Sequence, residues 1–334
     1  MTNVQPGEPA VETRDLRKSF RIAGTRIEAV RGLDLVVGRN QIFGFLGPNG
    51  AGKTTTLRML ATLVPIESGE ARVAGLDVRR RPGAVRRRIG YVGQLGGADL
   101  PATGRENLHL QGRLYGMSKA EAAARAEELI ETLALGEFVD RKALTYSGGQ
   151  RRRLEIAIGI MHRPEVLFLD EPTSGLDPQN RANLWDQVRG LRAAGTTIFL
   201  TTHYLEEADA LSDRLAIIDH GRLVAEGTPI ELKRELGGGT LVVRTGLRDG
   251  ALARLRDGLA TLAPVSGAWV DGDAVRLRAI DGRAALAQVG AMLEARDVPL
   301  SSVSLDEASL DDVFLARTGR SLRDAGQTTP EASR

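Results

Sequence analysis

The sequence contains no cysteine, which excludes disulfides and cysteine-ligated metal sites and fits a reducing compartment. No other grouping of side chains reads as a metal framework. A surplus charge of one sign is also missing. The 45 basic and 43 acidic residues leave a formal net charge of +2, and the basic ones are nearly all arginine. The arginine runs at 79–81 and 86–88 therefore read as solvated faces, and no nucleic-acid groove is expected. No apolar stretch approaches the ~20 residues a membrane span needs, and the polar, proline-containing start is unlike a signal peptide. The expectation is a chain soluble by itself. What is present is length: 334 residues exceed one ordinary domain and suggest two.

Residues 47–55 read Gly47, Pro48, Asn49, Gly50, Ala51, Gly52, Lys53, Thr54 and Thr55, which satisfies G-x-x-x-x-G-K-[ST]. Glycines let the backbone turn tightly enough for several N–H groups to face one anion, and a following helix offers the same anion its positive end. Lys53 suits the β- and γ-phosphates, and Thr54 suits Mg²⁺. An apolar strand run before the loop and a helical pattern over 55–63 supply the flanks that such a cradle requires.

Before it, residues 1–9 look disordered, and strands are expected over 10–16 and 29–37. Phe20, between them, reads either as a buried strand aromatic or as a ring that stacks on adenine. After it, strands are expected over 72–77 and 88–94. The second ends in Gln94, a polar residue at the strand end where open α/β sheets place ligand contacts.

From about 100 to 164 the pattern turns helical, with caps at Thr103 and Glu106, Ser118 and Glu121, and Ser147 and Gln150. The last of these opens Ser147, Gly148, Gly149, Gln150. Consecutive glycines lower helix propensity by ~1 kcal/mol each, so their place at a helix start suggests a second anion site. Residues 166–169 are apolar throughout, as in a parallel strand covered on both faces, and Asp170, Glu171 and Pro172 follow. Burying charge without a partner is costly, so Asp170 is expected to face Mg²⁺ beside Thr54, with Glu171 aimed at a water. A further strand over 196–202 ends at His203, which can hydrogen-bond a γ-phosphate there.

In order and spacing these segments (GPNGAGKTT, Gln94, YSGGQ, VLFLDEP, SGLD and His203) resemble the ABC-type ATPases. The resemblance implies an α/β fold: a P-loop, RecA-like core with a β-subdomain and a helical insert. It also implies a head-to-tail homodimer around two ATP molecules, in which Ser147–Gln150 of one subunit close the site built on Lys53 of the other. By the same resemblance Phe20 stacks on adenine, Gln94 senses metal and water, Glu171 is the general base, Asp177 makes a cross-dimer contact, and His203 is the γ-phosphate switch. Tyr146 departs from the commoner leucine and is expected to adjust packing.

The nucleotide-binding domain is expected over 10–236, followed by a glycine run at 237–239. A β-α-β-β-α-β order then suggests a small ferredoxin-like α+β module over 237–320, closed by an amphipathic helix at 309–319 before a disordered tail at 321–334. That closing segment resembles the ABC subfamily typified by the daunorubicin-resistance ATPases. The implied role is an ATP-hydrolysing exporter subunit, peripheral at the cytoplasmic face, reaching the membrane through a separately encoded permease. A soluble ABC ATPase acting in translation or DNA maintenance is the alternative. It would usually carry two cassettes or a long coiled coil, and this sequence has neither. A P-loop kinase or GTPase would need neither YSGGQ nor His203.

Overall fold

The computed structural model describes residues 8–22, 24–236, 239–306 and 308–320. The expected disorder at 1–7 and 321–334, and the first two glycines of the 237–239 run, lie outside them. The chain forms two compact units, 1–226 and 227–334.

In the first unit, β1 (Val11–Ile22) and β2 (Thr25–Val37) form a longer antiparallel hairpin than the apolar pattern suggests. Register shifts between Thr13 and Leu16 and between Lys18 and Ser19 carry the strands past the polar residues that read as a turn. Glu8 is also tied down, since its carbonyl accepts from Arg39 at 3.0 Å. After β3 (Ile42–Leu46) and α1 (Lys53–Leu60), β4 (Ser68–Val73) and β5 (Leu76–Asp77) complete a sheet ordered β2-β1-β4-β5.

A short α2 (Pro82–Arg86) leads to β6 (Ile89–Val92) and to the helical insert of α3 (Gly104–Leu114), α4 (Lys119–Thr132) and α5 (Gly148–Ile160). All three expected capping boxes form. The remaining elements are β7 (Val166–Asp170), α6 (Pro178–Ala193), β8 (Thr197–Thr202), α7 (Leu205–Leu211), β9 (Arg214–Asp219) and β10 (Arg222–Gly227).

The six-stranded sheet runs β10-β9-β3-β8-β7-β6, and β9, β3, β8, β7 and β6 are parallel neighbours. Every residue of β3, β7 and β8 is buried, as expected for strands covered on both faces. Phe199 anchors this layer, its ring centroid 5.3 Å from Phe43, 5.5 Å from Phe45 and 5.7 Å from Phe168. A core this rigid fixes the carboxyl ends of β3, β7 and β8 relative to one another.

The second unit begins with α8 (Pro229–Glu235), then β11 (Thr240–Arg244), α9 (Asp249–Leu259), β12 (Val265–Asp271), β13 (Ala274–Ala279), α10 (Gly282–Ala295), β14 (Ser302–Asp306) and α11 (Leu310–Thr318). Its antiparallel sheet is ordered β12-β13-β11-β14. The compact units divide before the glycine run because α8 groups with this part, packing on α11, where Arg317 pairs with Glu235 at 2.5 Å. Gly319 ends α11 at φ +77°.

Candidate functional site

The loop between β3 and α1 is shaped by two glycines. A side chain at Gly47 would meet the Ile218 carbonyl at 2.3 Å, and one at Gly52, itself at φ +103°, would meet the Ala29 carbonyl at 2.3 Å. Neither position admits a Cβ, because the loop is pressed against β2 and β9. Ala51 and Gly221 bond through their main chains at 2.9 Å, as do Arg31 and Gly221 at 2.8 Å, which braces the loop from behind. Helix α1 has no side-chain cap and no acidic residue in its first turn. Its leading N–H groups thus face the cradle with nothing negative of their own.

Lys53 is 4% exposed, and its Nζ donates to the carbonyls of Gly47 at 2.6 Å and Pro48 at 3.1 Å. Burial pushes its ammonium down from the ordinary value, opposed by the Glu171 and Asp170 carboxylates. Thr54 Oγ1 donates to Asp170 Oδ1 at 3.0 Å, and Thr201 Oγ1 donates to the same oxygen at 2.8 Å. Asp170 Oδ2 is buried and has no hydrogen-bond partner. An orphaned carboxylate oxygen next to a threonine hydroxyl is the donor set of a hard cation. Among the described residues no three His, Cys, Asp or Glu side chains cluster to hold a metal alone, so waters and phosphate oxygens would complete the shell.

Glu171 follows at φ +46°, a backbone conformation rare for a residue with a side chain. Its N–H is fixed by Thr201, at 3.1 Å from the carbonyl and 3.0 Å from Oγ1. Oε1 lies 3.4 Å from Lys53 Nζ and Oε2 lies 3.0 Å from His203 Nδ1, the latter outside hydrogen-bond geometry. Burial by itself raises the Glu171 carboxyl, but the His203 contact and the Lys53 charge outweigh it and hold the carboxyl below its ordinary value.

The structure thus brings together Gly47, Pro48, Lys53, Thr54, Asp170, Glu171 and His203. Asn49 and Gly50 form the exposed tip of the loop, and Thr55 is half-buried on α1. Phe20 stands apart, 38% exposed on the β1 hairpin with Lys18 Nζ 5.3 Å from its ring centroid, which removes the buried-aromatic reading. Gln94 is exposed in the turn after β6. Ser147 caps α5, accepting from Gln150 N at 3.3 Å, and Asp177 caps α6, accepting from Asn180 N at 2.9 Å. Gly148 is exposed and Gly149 packs against Asn180. Among the described residues no hydrogen bond or ion pair joins Phe20, Gln94, the Ser147–Gln150 turn or Asp177 to the phosphate loop.

Tyr146 is buried, its hydroxyl donating to the Phe138 carbonyl at 2.7 Å and its ring meeting Phe138 edge-on at 4.8 Å. Tyr146→Phe keeps the ring and removes one of the two hydrogen bonds that carbonyl accepts, the other coming from Arg141 N at 3.0 Å. The expected loss is about 0.5 to 1.5 kcal/mol of stability, read by chemical denaturation, with ATP affinity unchanged.

Parallel sheet, glycine-shaped loop and acidic strand end together define a P-loop nucleoside-triphosphatase. A model of the ABC transporter family matches residues 30–174. The chain is 49% identical to the daunorubicin/doxorubicin resistance ATP-binding protein DrrA of Streptomyces peucetius, over 99% of this chain and 98% of that protein. It is 39% identical to the Nod factor export ATP-binding protein I of Paraburkholderia xenovorans, over 95% and 99% of the two. A dimeric ATP-binding cassette in a post-hydrolysis state, bound to ADP and Pi, shares the fold with a TM-score of 0.61 at 24% identity, over 65% of this chain and 98% of that one. The chain belongs to the ABC transporter ATP-binding proteins and is an ATP-binding ATPase.

Sequence reasoning missed Thr201, which holds both Asp170 and Glu171. Its signal was a pair of threonines following the apolar stretch Ile198, Phe199 and Leu200 at the carboxyl end of the strand. It also missed Arg152, a buried arginine on α5.

Proposed function

We propose that this chain is the ATP-hydrolysing subunit of an exporter, acting as a homodimer beneath a separately encoded membrane permease. The observation that carries this reading is likeness over nearly the whole length, second unit included, to a resistance ATP-binding protein. A drug or antibiotic-like cargo is the reading the 49% relative supports. No helix among the described residues is long and apolar enough to cross a membrane, so the membrane path would belong to the partner and the chain would sit peripherally at the cytoplasmic face.

In this reading Lys53 and the α1 N–H groups hold the β- and γ-phosphates of ATP, while Thr54 and Asp170 hold Mg²⁺ with Gln94 near it. When bound, Mg²⁺ offsets the phosphate charge that grows during transfer. Lys53 turned toward phosphate no longer lowers the Glu171 carboxyl. Glu171 becomes a stronger base toward an attacking water, and His203 is freed to meet the γ-phosphate. Phe20, exposed on its hairpin, is available to adenine. Ser147–Gln150 and Asp177 have no role at their own phosphate loop, which suits them to the site of a second copy.

Cell fractionation tests recruitment. The chain is expected in the membrane fraction when the permease is produced and in the soluble fraction when every candidate permease gene is deleted. Persistence on membranes in the deletion strain would replace protein contact with direct lipid attachment.

A further inference from the structure

Arg152 is a buried cation in the second turn of α5, 7% exposed, and four hydrogen bonds leave it. Nε donates to the Pro172 carbonyl at 2.9 Å and Nη2 to the Asp170 carbonyl at 3.1 Å. Nη1 donates to the Gly93 carbonyl at 2.7 Å and to Glu155 Oε2 at 3.0 Å. Two of these carbonyls flank Glu171, and the third immediately precedes Gln94. The Glu155 carboxylate closes the other side of the Gln94 turn. A Cβ at Gly96 would fall 1.9 Å from its Oε1, so the turn is held between Arg152 at Gly93 and Glu155 at Gly96.

A burial this deep needs a reason, since an arginine in a core is tolerated only when its donors are matched. Here the donors are spent on main-chain carbonyls of two loops that carry proposed chemistry. Glu171 sits at φ +46°, and such a backbone persists only where its surroundings over-determine it. Thr201 fixes the Glu171 N–H from one side. Arg152 fixes the carbonyls before and after it from the other.

We infer that Arg152, charge-balanced by Glu155, is the positioning residue that sets Glu171 and the Gln94 turn in a fixed relation to α5, the helix that starts at Ser147. One guanidinium thereby links a subunit's own hydrolytic carboxylate to the surface it would offer a second copy. Only a planar fork reaches carbonyls lying in three directions. A lysine has three donors on one atom and cannot span them. The inference rests on the reading of Glu171 as the base.

The test uses the full chain, with ATP turnover, ATP affinity and urea denaturation measured on each variant. Arg152→Lys is expected to bind ATP within about twofold of the native chain and to lose kcat by about tenfold or more, because small misplacements of reacting groups are costly. Arg153→Lys, a neighbour whose guanidinium meets the Ala134 carbonyl and the Phe138 ring, is expected to change neither. Combined with Glu171→Gln, Arg152→Lys is expected to add no further loss, since the group it positions is already disabled.

A merely structural arginine would lower turnover by the same factor in both backgrounds, and that result overturns the inference. So does a folded Arg152→Lys with native kcat, or one that has lost ATP affinity. If Arg152→Lys does not fold, Glu155→Gln decides, because it keeps the bulk and one acceptor while removing the balancing charge. A kcat loss at native ATP affinity supports the inference, and native kcat overturns it. Should Glu171→Gln itself retain turnover, the reading of Glu171 fails first and separately.

Discussion

Glu171→Gln is expected to bind ATP as the native chain does and to lose turnover by about 10² to 10⁴-fold, the usual share of general base catalysis. The amide preserves the size of the side chain, and the Thr201 bonds that hold it go to the main chain, so the strained backbone stays in place. What disappears is a carboxylate able to take a proton from water. The substitution also removes the negative partner of Lys53, 3.4 Å away, which frees the ammonium for phosphate and acts, if anything, to tighten binding. Phosphate release at saturating Mg-ATP, beside binding of a fluorescent nucleotide, separates the two effects. Near-native release by a folded Glu171→Gln would falsify the assignment of Glu171 as base.

Lys53→Ala is expected to fail one step earlier, at binding. Charge-assisted hydrogen bonds contribute about 1.5 to 3 kcal/mol each, so an ammonium shared by two phosphates accounts for at least about 10²-fold in affinity. Titration calorimetry with Mg-ATP reads this directly, and affinity within about threefold of native would remove Lys53 from the cradle.

The same variant should shift acid stability. The Glu171 carboxyl is held below its ordinary value, so it contributes stability above its unfolded-state pKa that is lost as pH falls through the lower folded-state value. Without Lys53 that folded-state value rises. The variant is therefore expected to lose less stability on acidification than the native chain.

The parts of this site legible in the sequence are those whose reasons are local. The phosphate loop is one contiguous segment, and the caps at Thr103, Ser118 and Ser147 are each set by a partner three residues on. Even Asp170 announces itself, as a charge at the end of a strand buried throughout.

Arg152 does not. In a run of three arginines nothing distinguishes the one that turns inward, and its partners at Gly93, Asp170 and Pro172 come from other strand ends. Only the position of α5 against β6 and β7 decides it. Helix α8 is likewise placed by a distant contact. The glycine run at 237–239 reads as a boundary, but packing on α11, some eighty residues later, decides which unit the helix joins. Phe20 shows the converse. Its exposure follows from a hairpin extended by register shifts, and polar residues conceal that extension in the sequence.

Complementation between two copies is measured most directly by the mass of Glu171→Gln in solution. Light scattering is expected to give a monomer without nucleotide and a dimer with Mg-ATP, because a site that binds but cannot activate water holds its ATP. Ser147→Arg, added to the same protein, places bulk and charge at the start of α5 and is expected to return the mass to that of a monomer while each chain still binds ATP. A monomer throughout, or an ATP-dependent dimer indifferent to Ser147→Arg, would contradict the two-copy site.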